Sequence, residues 1–149
     1  MKESFKIIVP IDFLQYTDQI VDYTLHIGEK LNASLKFIHI VEPPHIYGNF
    51  EHPSLGTFTE EKMIYAKKRM KQFIEKQQDK CSGCEGSIMQ GNIVDTIIKY
   101  VKDEKADLII IGTHGRKGLM KMWLGSVAER VIKAAPCPTL LFNPYKEND

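Results

Sequence analysis

The chain has 149 residues, 43% hydrophobic and 26% charged, and its 20 Lys and Arg against 19 Asp and Glu leave a formal net charge of +1. That length buries a core without staples and suits one domain over residues 1–149. The near-neutral balance gives no electrostatic argument for nucleic acid or an anionic membrane surface as partner. No apolar run approaches the roughly 20 residues that span a bilayer.

The start of the chain, Met1-Lys2-Glu3-Ser4-Phe5-Lys6, lacks a secretion signal's apolar core, because Ile7-Ile8-Val9 is stopped by Pro10 and Asp12. Three cysteines, an odd number, fit a reducing compartment better than a disulfide framework. A cytoplasmic location is therefore expected.

Residues 5–11 are β-branched and mostly apolar, as in a strand covered on both faces. Pro10 falls at its carboxyl end, where a missing ladder donor matters least. Asp12 to Tyr16 form a loop, with Thr17 or Asp18 as the expected helix cap. Ile20, Val21, Thr24, Leu25, Ile27, Gly28 and Leu31 make one stripe of a helix over 18–31, and Asn32 suits the left-handed position beyond it.

Residues 35–41 form a second strand. The stretch 42–58 holds three prolines and two glycines and is too long for a simple connection, which predicts a mobile segment or a lid. Thr57 and Glu60 are spaced as a capping box for a helix carrying Met63, Ala66, Met70, Phe73 and Ile74. Lys62, Lys67, Lys68, Arg69, Lys71 and Lys76 crowd this helix but interleave with Glu60, Glu61 and Glu75, the pattern of a solvated face, with a basic docking surface as the alternative.

A third strand fits 86–90. Gly91-Asn92 then turns into a helix buried through Ile93, Val94, Ile97, Ile98 and Val101. Residues 107–111 make a fourth strand. From Ser126 the stripe Val127, Ala128, Val131, Ile132 and Ala135 is helical and closed by Pro136, and 139–142 is a fifth strand. Such alternation implies parallel strands joined by right-handed crossovers, hence an open α/β sheet.

Ligands of such sheets sit off the carboxyl ends of the strands, where strand order reverses. If strand 1 neighbours strand 4, three loops meet there. They are Pro10-Ile11-Asp12-Phe13, the end of strand 2 at Val41, and the glycine-rich loop Gly112-Thr113-His114-Gly115-Arg116-Lys117-Gly118 with the helix start Gly125-Ser126-Val127. A glycine loop running into a helix start exposes backbone N–H groups and about half a positive charge, which suits a phosphate. Arg116 and Lys117 add charge, the Ser126 hydroxyl a donor and Val41 an apolar wall for a base. P-loop and G-x-G-x-x-G signatures are both missing, which argues against NAD and FAD.

The spacing Gly112-x2-Gly115-x9-Gly125-Ser126 resembles the nucleotide-binding pattern of the universal stress protein family. The flanks agree: Asp107-Leu-Ile-Ile-Ile before it, Val127-Ala-Glu-Arg-Val-Ile and Pro136-Cys-Pro after it, and Pro10-x-Asp12-Phe13 at the end of the first strand. The resemblance implies a Rossmann-like, adenine nucleotide α-hydrolase-like sheet in the order 3-2-1-4-5 and a homodimer joined through the last strand, Thr139–Phe142.

It also implies a pocket for ATP or ADP, with Mg2+ only as the ion that travels with the phosphates. In that pocket Asp12 and Val41 would contact adenine, with Pro10 and Asp12 near the ribose. Gly112, Gly115, Gly125, Ser126 and Val127 would surround the phosphates. An exposed apolar last strand favours the same two-fold pairing on local grounds.

The expected function is a cytosolic, ATP-binding, homodimeric stress-response switch or scaffold. The alternatives are a slow ATPase and a nucleotide-independent dimerisation module. No Ser or Cys nucleophile pairs with His114 by motif and no acid is set to activate water, so no catalytic residue is assigned. His39 reads as a packed strand residue, and His45 and His52 lie too irregularly to define a metal site. Cys81-Ser82-Gly83-Cys84 reads as a tight turn, with a redox-sensitive disulfide as the alternative. Trp123 either covers the phosphates or packs on a partner.

Overall fold

Ile7, Ile8 and Val9 have no exposed surface because β1 (Lys6–Pro10) runs through the middle of a parallel sheet covered on both faces. The computed structural model describes residues 3–44, 53–113 and 124–145. The elements follow in the order β1, α1 (Thr17–Leu31), β2 (Ser34–Val41), α2 (Pro53–Gln77), β3 (Glu85–Gln90), α3 (Ile93–Glu104), β4 (Leu108–Gly112), α4 (Ser126–Ala134) and β5 (Thr139–Phe142). The five strands pair in parallel in the order β3-β2-β1-β4-β5, as expected.

The two-residue period of a strand divides the core. Ile7, Val9, Leu35, Phe37 and Ile110 face α1 and α2, where they meet Ile20, Val21 and Met70. Ile8, Ile38, Ile40, Ile109 and Ile111 face α3 and α4, where they meet Val94, Ile97, Val101 and Val131. The fully apolar strands of the sequence are thus strands buried on both sides.

The local start and stop signals at Asn32, Asn92 and Pro136 act where the sequence put them. Asn32 takes the left-handed conformation past α1 (φ 48°, ψ 49°). Asn92 caps α3, accepting from the Asp95 N–H at 3.1 Å. Ala135, ahead of Pro136, leaves the helical region at ψ 132°.

Four expectations are corrected. Neither Thr17 nor Asp18 caps α1: Tyr16 holds that place without a side-chain bond, and Thr17, the first helical residue, donates its hydroxyl to Asp12 at 3.2 Å. The stretch 42–58 is not loop throughout, because α2 starts at Pro53, where proline's fixed φ and missing N–H suit a first helical turn. Thr57 and Glu60 therefore lie inside α2 and form no capping box. Ile132, placed on the buried stripe of α4, is 40% exposed, since the nine-residue helix meets the sheet through Ala128 and Val131.

The C-x-x-C segment is more than a turn. It brings the Cys81 and Cys84 α-carbons to 5.6 Å, and the two residues form a disulfide that joins the end of α2 to the approach to β3. The closed loop is short, so the chain-entropy estimate of its worth is only about 2 kcal/mol. Reduction is expected to lower the unfolding free energy by that amount in urea titrations, and Cys81→Ser should abolish the sensitivity to reductant. Cys137, the remaining thiol, has its pKa raised by burial and then by the Asp107 charge, which keeps it protonated and a poor nucleophile.

Lys36 crosses the sheet edge to Glu85 at 3.0 Å and Glu104 at 2.9 Å. The hydrogen bond with Lys36 is the main cause lowering the Glu104 pKa, so this pairing stabilises the fold above the ordinary carboxylate range and is lost as pH falls through the depressed value. Glu104 is only partly buried, so solvent still screens the pairing and keeps the effect modest.

Thr24, fully buried in α1, keeps a hydroxyl with no hydrogen-bond partner among the described residues. Thr24→Val conserves shape and removes an unpaid desolvation, so it is expected to stabilise the protein by about 1 kcal/mol in denaturant melts.

Candidate functional site

Strand order reverses between β1 and β4, whose carboxyl ends part to feed different helices. Around this point the structure assembles the β1 exit (Pro10, Ile11, Asp12), the β2 end (Val41), the β4 end (Gly112, Thr113) and the α4 start (Gly125, Ser126, Val127). His114, Gly115, Arg116, Lys117, Gly118 and Trp123 lie outside the described residues, as do His45 and His52.

Hydrogen bonds fix the strand ends. The Ile11 N–H donates to the Ile38 carbonyl at 2.8 Å, extending β1 one residue along β2. The Val41 carbonyl accepts from the Gly91 N–H at 3.1 Å, and Val41 itself is buried. Gly112, expected to open the loop, is instead the last residue of β4.

Thr113 joins the two halves of the glycine segment. Its N–H donates to the Phe142 carbonyl at 2.9 Å, and its carbonyl accepts from the Gly125 N–H at 2.8 Å. A Cβ on Gly125 would lie 2.7 Å from that carbonyl oxygen, so only glycine allows this approach of backbone to backbone. Gly125 is the N-cap of α4 and supplies no side-chain bond. The first intrahelical bond after it runs from Glu129 N–H to the Gly125 carbonyl at 3.0 Å, which leaves the amides of Ser126, Val127 and Ala128 without intrahelical acceptors. The acidic side chain of that first turn, Glu129, is paired with Lys133 at 3.1 Å.

Asp12 is exposed and organises the opposite side. Its Oδ1 accepts from the Leu14 N–H at 2.8 Å and from the Thr17 hydroxyl at 3.2 Å, while among the described residues Oδ2 accepts no bond. Phe13, next in the chain, has φ 59°, a left-handed backbone that a bulky residue rarely adopts.

Two other elements hold the carbonyls on either side of Asp12. His39 of β2 approaches the Ile11 oxygen through Nδ1 at 2.8 Å, and since a carbonyl only accepts, Nδ1 carries the proton. Arg69 of α2 donates to the Phe13 oxygen at 2.8 Å, with its guanidinium carbon 4.9 Å from the Phe13 ring centroid. The Phe13 ring also meets His39 at 5.0 Å and, edge-on, Phe73 at 6.0 Å.

His39 is thus a packed residue, as expected. Phe73 was expected on the inward stripe of its helix and Arg69 on the solvated face, and neither was linked to the Asp12 turn. Arg69 is the single arginine of a helix otherwise supplied with lysines, and it lies four residues from the half-buried Phe73; that was the one available signal. Among the described residues no group of three or more His, Cys, Asp or Glu could hold a metal ion, and no helix is long and apolar enough to cross a membrane.

The arrangement is that of an α/β protein whose strand order reverses between the Asp12 turn on one side and, on the other, a helix start that its glycine N-cap leaves without a side-chain bond. The sequence profile of the universal stress protein family matches residues 4–143. Universal stress protein MJ0531 of Methanocaldococcus jannaschii is 32% identical over 146 residues, covering 95% of this chain and 84% of its own length. The chain belongs to the universal stress protein family.

Among solved structures, universal stress protein UspA from Lactobacillus plantarum superposes with a TM-score of 0.79 at 23% identity, covering 95% of this chain and 99% of that one. A universal stress protein in complex with cAMP gives 0.66 at 20% identity, covering 94% and 97%. The Archaeoglobus fulgidus universal stress protein in complex with dAMP gives 0.61 at 18%, covering 92% and 96%. At these identities the superpositions establish the fold.

Proposed function

We propose that this protein binds ATP or ADP at the crevice between β1 and β4 and acts as a homodimeric, nucleotide-dependent stress-response switch in the cytoplasm. The observation that carries the reading is the start of α4. Three amides without intrahelical acceptors follow a glycine packed so tightly on Thr113 that no side chain can intervene, which is a fit for phosphate oxygens. On this reading Ser126, Val127 and Gly125 hold phosphates together with Gly112, Thr113, His114, Gly115, Arg116, Lys117 and Gly118. Pro10, Ile11, Asp12 and Val41 bound the nucleoside, the Oδ2 of Asp12, which accepts no bond among the described residues, being suited to a ribose hydroxyl or an adenine amine. Mg2+ would accompany the triphosphate. The complexes of two family members with cAMP and dAMP support an adenine nucleotide as the ligand class.

The homodimer is proposed through β5. This strand is at the sheet edge and leaves Leu141 40% exposed, a surface that isologous pairing would cover.

Mass spectrometry of small molecules released from denatured, freshly purified protein is expected to detect adenine nucleotide, and calorimetry on stripped protein to show ATP binding. Stripped, folded protein that takes up neither ATP nor ADP would overturn the reading. Sedimentation should report a dimer that a charged residue at Leu141 dissociates.

A further inference from the structure

We infer that Arg69 is a positioning residue for the nucleoside end of the site, acting through the Asp12–Phe13 turn; this rests on the proposed adenine-nucleotide reading. Asp12 sits between two carbonyls that side chains from separate elements hold, Ile11 by His39 and Phe13 by Arg69. Its own Oδ1 is bound within the turn, so the direction of the carboxylate is fixed from three sides. The least stable part of this arrangement is Phe13, whose left-handed backbone costs free energy and persists only if its surroundings impose it.

Arg69 imposes it twice. It donates to the Phe13 carbonyl, and its guanidinium lies over the Phe13 ring, a combination available to a planar, always-charged fork but not to the neighbouring lysines. Arg69 is exposed and belongs to α2, an element that contributes none of the assigned ligand contacts. Without it Phe13 can relax toward negative φ, which turns Asp12 and loosens the Leu14 N–H bond. The free protein would then have to restore that order on binding, and affinity falls by the population lost.

The nucleoside is common to adenosine, AMP and ATP, so the loss has a signature. Arg69→Met is expected to weaken all three by the same factor, roughly tenfold, with Arg69→Lys intermediate because it keeps a donor but not the planar stack. Hydrogen exchange without ligand supplies a readout independent of binding: the Leu14 amide should exchange roughly tenfold faster in Arg69→Met, while amides in the middle of α1 keep their protection.

Wild-type protein that binds ATP beside an Arg69→Met variant of equal affinity and unchanged Leu14 exchange would overturn this inference and leave the nucleotide reading standing. Loss confined to ATP, with adenosine binding intact, would also overturn it by placing Arg69 at the phosphates. Wild-type protein that binds no adenine compound would overturn both.

Discussion

Gly125→Ala is expected to reduce ATP affinity about a hundredfold or more, with a much smaller loss for adenosine. A single added methyl is enough because its carbon would stand 2.7 Å from the Thr113 carbonyl oxygen, well inside contact distance. Neither side can yield alone. Thr113 is tied through its N–H to Phe142 on β5, and Gly125 is bonded back to Thr113 at 2.8 Å. The junction must open, and the first turn of α4 moves away from the end of β4.

Amide–phosphate bonds are charge-assisted and contribute about 1.5–3 kcal/mol each, so misaligning two of them exceeds the ~2.7 kcal/mol of a hundredfold change. Overpacking of this kind also costs stability, about 1–3 kcal/mol, which circular dichroism melts would report separately. Titration calorimetry with ATP and adenosine on the folded variant is the check. Equal affinity of wild type and variant for ATP would mean that the phosphates do not sit on this helix start. Set beside Arg69→Met, expected to weaken ATP and adenosine alike, the two variants assign the ends of the site independently.

The sheet was legible because each of its signals is local. Ile7-Ile8-Val9 and Leu108 to Ile111 are apolar without interruption, which parallel strands with two covered faces require, and Asn32, Asn92 and Pro136 mark helix ends through backbone preferences of their own. The β1 exit, the β4 end and the α4 start followed from the topology. What escaped the sequence is non-local. Asp12 reads as a helix cap or a ligand contact, but its geometry depends on His39, 27 residues further on, and Arg69, 57 residues further on, and no spacing links them.

The start of α2 was missed for a different reason. Three prolines and two glycines in 42–58 outweighed the fact that a proline is well accommodated in a helix's first turn, as Pro53 is. Cys81 and Cys84 read as a tight turn with a disulfide as the alternative, and the structure holds the alternative, because spacing alone does not say whether the two sulfurs meet.

The support under Asp12 extends into the core, which makes Phe37→Ala the substitution with the largest expected effect on stability. Phe37 is fully buried in β2, edge-on to Phe73 at 5.1 Å, and Phe73 in turn meets Phe13. α2 has 25 residues but a narrow buried stripe, with Thr59, Ala66, Met70 and Gln77 buried among those described, Phe73 and Ile74 half-buried, and Ile64 and Tyr65 more than 60% exposed. A helix attached through so few side chains cannot close over the space a missing phenyl leaves.

The expected loss is about 3–5 kcal/mol, a fall in Tm of roughly 10 °C or more for a chain of this size. Phe37→Leu, which refills most of the volume, should cost under about 1.5 kcal/mol. Urea titrations check both, since a lower midpoint with unchanged slope reports lost stability rather than an altered denatured state. Because Phe73 loses its backing, Phe37→Ala should also weaken adenosine binding at temperatures where the protein remains folded. A loss below 1 kcal/mol would mean that α2 is not seated on this face of the sheet, and the clamp on Phe13 would lose its foundation with it.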